Sequence, residues 1–236
     1  QAATWENTLT FAMPFGGTAS YVVHNSSFLP SPGHPVVLGM ADPFTEIPSS
    51  LEEFNGIPAG ATILTMGDSE PGPTTMYEYI PTPPPTGRMI VSGVITGYGP
   101  AGYGLLADNT VNYTFSSSDP APNEFAIFQD HDPWGNTVIK DAITGAAHSY
   151  SQFPFGAMTG FNYNDYRVII LNFDQHVPGE FVPWYLAEIP ALEAYVQDGG
   201  VLWIQAATWD DSSSFALPFG GTATYDASWN WNYIVA

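Results

Sequence analysis

The sequence predicts an α/β fold built on a mainly parallel sheet with helices on both faces, and three observations point there. Residues 125–129 (FAIFQ), 166–173 (YRVIILNF) and 201–206 (VLWIQA) are near-continuous apolar runs, too unbroken for strands with one wet face. Stretches with apolar residues at helical spacing separate them, giving strand, helix, strand, helix, strand with short turns. Hydrophobic residues make up 44% of the 236-residue chain and aromatics 15%, enough for a packed core despite a formal charge of -20.

The elements of the second half follow in order. The run 125–129 ends in Asp130, His131 and Asp132 and the turn Pro133-Trp134-Gly135. Asn136 is placed to cap a helix through Ala147, with Val138, Ile139, Ala142 and Ile143 on one face. After the strand 166–173, residues 183–197 carry Trp184, Leu186, Ile189, Leu192 and Val196 at helical spacing, with Pro190 an expected kink and Gly199-Gly200 the stop. The strand 201–206 closes the series.

In the first half, residues 34–37 (HPVV), 61–65 (ATILT), 75–80 (TMYEYI) and 88–95 (RMIVSGVI) read as strands. The last two are expected to form a hairpin around the Pro-rich loop 81–87. Residues 103–113 have the spacing of a short helix, and 116–123 (SSSDPAPN) read as a linker, which divides the chain into 1–118 and 119–236.

Residues 1–21 (QAATWENTLTFAMPFGGTASY) and 205–225 (QAATWDDSSSFALPFGGTATY) are identical at 14 of 21 positions, 204 residues apart. The chain therefore reads as one repeat plus an overlap, cut from a tandem array, in preference to a small motif duplicated inside one domain. After Tyr225, the residues Trp229, Trp231 and Tyr233 alternate with Asn230 and Asn232, the pattern of a strand with one apolar face that needs a partner.

Three basic residues, Arg88, Lys140 and Arg167, stand against 23 carboxylates, so no face can neutralise a run of phosphates and nucleic-acid binding is not expected. No apolar run approaches the ~20 residues of a membrane span. With no cysteine there is no disulfide framework, zinc-thiolate site or cysteine nucleophile. The low basic content, the abundance of Ser, Thr, Gly and Pro, and the sequons at Asn25 and Asn112 give the expectation of an extracellular or cell-surface glycoprotein.

The segment YRVIILNFD, a helix ending EAYVQDGG, then VLWIQAATW and LPFGGTA resembles the core of class I glutamine amidotransferase-like domains, including the trehalose-utilisation-like branch. HPVVLGM, IPAGATIL, TTMYEYI, GRMIVSGVITGYGP and GLLADNTVNY continue the pattern along nearly the whole repeat. The resemblance implies a flavodoxin-like sheet with an added β-hairpin, permuted because the family's opening strand corresponds to FAIFQ in mid-chain. Residues 1–118 would then be the C-terminal half of one repeat and 119–236 the N-terminal half of the next, unless the two close on each other as one circularly permuted domain. Where the family is enzymatic, a cysteine on a tight turn attacks the substrate; here that turn falls near residues 172–176 and holds no Cys, so the activity does not carry over.

In open α/β sheets ligands sit beyond the carboxyl ends of the strands. Asp130, Asp132, Asp174 and His176 should meet there as a calcium-type or other divalent site, although turn and helix-cap roles are the preferred reading of these residue types. His34 is expected to be structural, bonded to neighbouring backbone. Trp5, Phe11, Trp229, Trp231 and Tyr233 are read as an assembly surface. The expected function is a non-catalytic structural subunit of an extracellular filament or surface array, with copies of itself as partners and no cofactor. The alternative is a glycan-binding adhesin module that uses Trp229, Trp231 and Tyr233, with Trp134 and Trp184, as stacking faces.

Overall fold

The computed structural model describes residues 11–12, 18–19, 26–40, 44–45, 53–55, 57, 59–67, 74–80, 87–93, 102–208 and 214–224. In chain order the strands are β1 (Phe11–Ala12), β2 (Thr18–Ala19), β3 (Ser26–Phe28), β4 (Phe44–Thr45), β5 (Glu53–Asn55), β6 (Thr62–Gly67), β7 (Thr74–Tyr79) and β8 (Arg88–Ser92). Helix α1 (Gly102–Ser117) leads to β9 (Asn123–Phe128), α2 (Val138–Gly145), β10 (Tyr150–Phe153), β11 (Tyr166–Asn172), α3 (Pro178–Gln197), β12 (Val201–Gln205), β13 (Ser214–Ala216) and β14 (Thr222–Thr224).

The architecture is α/β with a mostly parallel central sheet. Five strands in the order β10-β9-β11-β12-β8 are all parallel. Beyond β8 the sheet turns antiparallel through β7 and β5 to β14 and β13, while β6 pairs with β7 and β3. The run 88–92 from the first half thus lies against 201–205 from the second within one sheet.

Alternation along the strands explains why the apolar runs are continuous. Phe125, Ile127, Val168, Ile170, Val201, Trp203 and Ile90 pack on one face with Leu106 and Val111 of α1 and Ile139 and Ile143 of α2. Ala126, Phe128, Ile169, Leu171, Leu202, Ile204, Met89 and Val91 face the other way, onto Phe181, Tyr185, Leu192 and Val196 of α3. Both faces are dry, so the central positions of these strands are apolar and polar residues are confined to their ends; each fully buried large side chain contributes roughly 1.5–3 kcal/mol relative to exposure.

Several local expectations need correction. Residues 31–39 are consecutive turns, with His34 N donating to Ser31 O and Val37 N to His34 O; Pro35 supplies no donor for a ladder, and Val36 and Val37 are buried from a turn. Helix α3 starts five residues early, because Pro178 suits a first helical turn and the Glu180 carboxylate accepts the Val177 N–H at 3.1 Å. Its buried face runs through Phe181, Tyr185, Leu192, Tyr195 and Val196, which leaves Trp184 and Leu186 exposed. Pro183 and Pro190 lie within the helix, both exposed. Strand β10 has no apolar run to announce it, since it is a sheet edge with residues alternately exposed and half-buried. At α2, Thr137 takes the cap position, and Asn136 Oδ1 accepts the Val138 N–H at 2.9 Å.

The glycine stop after α3 has a steric basis. Gly200 N donates to Tyr195 O, and a Cβ on Gly200 would overlap the Tyr195 ring. The Tyr195 hydroxyl in turn donates to Arg167 O at 2.8 Å and accepts Val201 N–H at 3.2 Å, pinning the starts of β11 and β12. Among the described residues, no helix is long and apolar enough to cross a membrane.

Candidate functional site

Each apolar run of the parallel sheet ends in one polar residue: Gln129 after β9, Asn172 on β11, Gln205 on β12 and Ser92 on β8. Asn172 opposes Gln205, and Gln205 opposes Ser92, so the four form a buried row across the carboxyl edge. Asn172 Nδ2 donates to Gln129 Oε1 at 2.7 Å, and Gln129 Nε2 to Asp132 Oδ1 at 2.6 Å. Lys140 Nζ donates to the same carboxylate oxygen. Asn172 Oδ1 is buried with no hydrogen-bond partner among the described residues. The adjoining pocket, lined by Gln129, Asp132, Asn136, Lys140, Asn172 and Asp174, holds about 10 Å³, the room of one water. The signal for this row was in the sequence: FAIFQ, VIILN, VLWIQ and MIVS each close on a single amide or hydroxyl.

The tight turn after β11 has Gln175 in the left-handed region at φ 61°, and Trp134, in the turn after β9, sits there too at φ 51°. Trp134 N donates to Gln175 Oε1, tying the two turns together. Gln175 N donates to Ala207 O at 2.9 Å, and Ala207 N to Asp174 Oδ1 at 3.1 Å. Strained residues on strand-to-helix turns present the nucleophile in some hydrolases. Gln175 carries a carboxamide, which is not a nucleophile.

The four metal candidates do lie at this edge, but with other partners. Asp130 Oδ1 accepts the Phe155 N–H at 3.0 Å, and Asp132 is engaged by Gln129 and Lys140. His176 is buried; its Nδ1 lies 2.9 Å from Asp174 O, and its Nε2 accepts the Asp130 N–H at 3.4 Å, which sets the tautomer with the proton on Nδ1. Its ring lies 4.0 Å from that of His131 and edge-on to Phe155 at 4.9 Å. Burial, and then His131, hold the His176 pKa below its ordinary value, so the imidazole is neutral with both nitrogens occupied. Among the described residues no group of three His, Asp or Glu is placed to hold a metal ion. These residues act as loop ties.

His34 departs from the expectation of a backbone partner alone. Its Nδ1 accepts Val36 N–H at 3.3 Å, and its Nε2 lies 3.2 Å from Glu78 Oε2. Glu78 is buried and also accepts from Arg88 at 3.0 Å and the Tyr113 hydroxyl at 2.5 Å. Burial raises the Glu78 pKa, and the donors His34, Tyr113 and Arg88 together outweigh it, leaving the carboxyl below its ordinary range. Arg167 is likewise consumed: it stacks 3.8 Å from the Phe115 ring centroid and donates to the Phe115 and Ser118 carbonyls at the end of α1. All three cations of the chain are thus bonded internally.

The repeated segment forms the same hairpin twice. In β1–β2, Phe11 opposes Ala19 and Ala12 opposes Thr18; in β13–β14, Phe215 opposes Ala223 and Ala216 opposes Thr222, the same register 204 positions on. The second copy joins the large sheet through β14 and β5, with Thr222 opposite Asn55 and Ala223 opposite Phe54. Its Phe215 is buried edge-on against Phe173 at 5.4 Å and Phe181 at 5.1 Å, and Tyr185 donates to Ala216 O at 2.8 Å. The first copy forms a separate two-stranded sheet.

Of the remaining candidates, Trp5, Asn25, Trp229, Trp231 and Tyr233 lie outside the described residues. Asn112 is exposed on α1, its Nδ2 donating to Asp108 O at 2.9 Å, while Thr114 of the same sequon is buried and bonded to Val111 O. Trp134 is half-buried and Trp184 exposed. Comparison with known proteins finds no matching family model, no significantly similar curated protein and no significantly similar solved structure.

Proposed function

We propose that the chain is a non-catalytic structural unit of an extracellular filament or surface array assembled from repeated domains. The observation that carries this reading is the hairpin formed twice in one register, once seated in the large sheet and once outside it. A unit that carries a surplus copy of one of its own structural elements is suited to joining its neighbours. In this reading the order β10-β9-β11-β12-β8 is a flavodoxin-like sheet, permuted because β8 precedes β9 in the chain but follows β12 in the sheet, and the antiparallel strands are an insertion.

The chemistry of the carboxyl edge supports the non-catalytic part. Among the described residues, the strained turn presents Gln175, and His176 has both nitrogens bonded. Electrophilic-glutamine and fluorophosphonate probes are expected to leave the chain unlabelled; stoichiometric labelling at one residue would overturn it.

Sedimentation velocity and electron microscopy of the full chain test the assembly part. Concentration-dependent polymers are expected, and Trp229→Ser with Trp231→Ser should abolish them while the far-UV circular dichroism is kept. A monomer at all concentrations, with binding on a glycan array lost in Trp184→Ala, would instead establish the adhesin alternative, for which the exposed Trp184 is the supporting observation.

A further inference from the structure

The β5 edge and the aromatic socket behind it are built to receive one particular hairpin. The strand pairing is specified by register, Thr222 with Asn55, Ala223 with Phe54 and Thr224 with Glu53. The anchor is Phe215, buried among Phe173, Phe181 and Tyr185, with Leu217 buried beside it. Two polar ties fix the depth: Tyr185 donates to Ala216 O at 2.8 Å, and Phe219 N donates to Glu193 Oε1 at 2.6 Å. The turn needs positive φ at Phe219, Gly220 and Gly221.

Residues 11–21 (FAMPFGGTASY) match 215–225 (FALPFGGTATY) at all but two positions, Met13 for Leu217 and Ser20 for Thr224. Met for Leu is volume-conserving and tolerated in packed cores. Ser for Thr falls on a strand whose bonds to β5 are made by backbone. The first copy also pairs internally in the same register, and Cα atoms of β2 approach those of β5 within 8 Å, yet β5 is hydrogen-bonded to β14. One slot therefore faces two equivalent plugs, and in its own chain the slot is occupied.

Resting on the structural-unit reading, we propose that the β5 slot accepts the hairpin from either copy, and that residues 11–21 of one chain seat on β5 of an adjoining copy in place of that copy's β13–β14. The partner is a second copy of this chain, and the joint is strand addition to a sheet edge with Phe11 as its anchor. Exchange of near-identical plugs is close to isoenergetic, so the joint forms wherever units are held at high local concentration, as in an array.

The cysteine-free chain allows a direct test by disulfide trapping between two differently labelled full chains. One carries Thr18→Cys, the twin of Thr222; the other carries Asn55→Cys with Phe215→Ala to loosen its own plug. Mixed under mild oxidation, they are expected to give the hetero-dimer, and adding Phe11→Ala to the first chain should cut its yield at least tenfold. Phe215→Leu, a milder change, serves as a second background whose fold is checked by its melting transition. A hetero-dimer whose yield ignores Phe11, or none in either background, overturns the proposal. If wild-type chains polymerise in sedimentation while this cross-link is absent, the hairpin joint fails and the structural-unit reading stands. If the Phe11-dependent cross-link forms between chains that sediment as monomers when not oxidised, the joint stands without the filament.

Discussion

Trp134 and Gln175 hold each other in place: both backbones are left-handed, and the Trp134 amide donates to the Gln175 side-chain oxygen. The bond joins the turn after β9 to the turn after β11. Residues other than glycine cost about 1 kcal/mol or more in that region, so the arrangement persists because the surrounding structure fixes it.

Gln175→Ala is expected to lower unfolding free energy by about 1–2 kcal/mol, since it removes the acceptor and keeps the strained φ. Gln175→Gly loses the same bond but relaxes the backbone, and should be the milder change by about 1 kcal/mol. Urea denaturation of the two variants measures the difference. Equal losses would mean that the backbone carries no strain.

The amide pair at the carboxyl edge gives a second expectation. Asn172→Leu leaves Gln129 Oε1 without the donor it has now, and Gln129→Met does the converse to Asn172 Nδ2. Each single change should cost about 1–3 kcal/mol, the penalty of a buried group deprived of its partner. The double variant should cost less than the sum by at least 1 kcal/mol, which a double-mutant cycle reads directly.

Acid should unfold the protein in two stages. His176 has a folded pKa below its ordinary 6.5, so the unfolded chain binds more protons and stability falls as pH drops from about 6.5. Glu78, held below its ordinary 4.5, contributes stability that is complete above that value and lost as pH falls through its folded pKa. Denaturation midpoints between pH 7 and pH 3 should show both phases. Glu78→Gln should reduce the lower one, to which Glu124 also contributes, and leave the upper one in place.

With a formal charge of -20 and its three cations bonded internally, the fold is self-repulsive. Raising NaCl from 0.02 M to 0.5 M should increase Tm by about 3–8 °C, because the screening length shrinks from over 20 Å to under 5 Å. Calorimetry at the two salt concentrations checks it. A Tm unchanged by salt would show that the carboxylates are too dispersed to interact.

The parallel strands were legible because burial on both faces writes itself as unbroken apolar runs, as in VIIL and VLWI. Strand β10 was hidden for the converse reason, being an edge whose Tyr150 and Gln152 are exposed. Helix α3 packs through Leu192, Val196 and Ile189 as expected, but Trp184 and Leu186 are exposed, since Trp184 competes on hydrophobicity alone with Phe181 and Tyr185, and only docking decides among them. The polar row is masked in the sequence by Asp130, Asp132 and His176, whose ionisable side chains are more conspicuous than neutral amides. Gln129 and Asn172 look like ordinary strand ends until the register sets them side by side. Glu78 gave no signal at all, because its donors come from 44, 10 and 35 residues away.

The internal commitment of every cation also governs how the molecule meets proteases. Trypsin cuts only after Lys and Arg, and here those residues open β8, lie in α2 and lie within β11. Each scissile backbone is held in a helix or strand, so the folded chain offers no loop site to such an enzyme, and cleavage must wait for opening of the element itself. Digestion therefore becomes a clock for unfolding, with β8, α2 and β11 as its three hands. Facing trypsin-like enzymes, the folded chain is cut only as fast as these elements come apart.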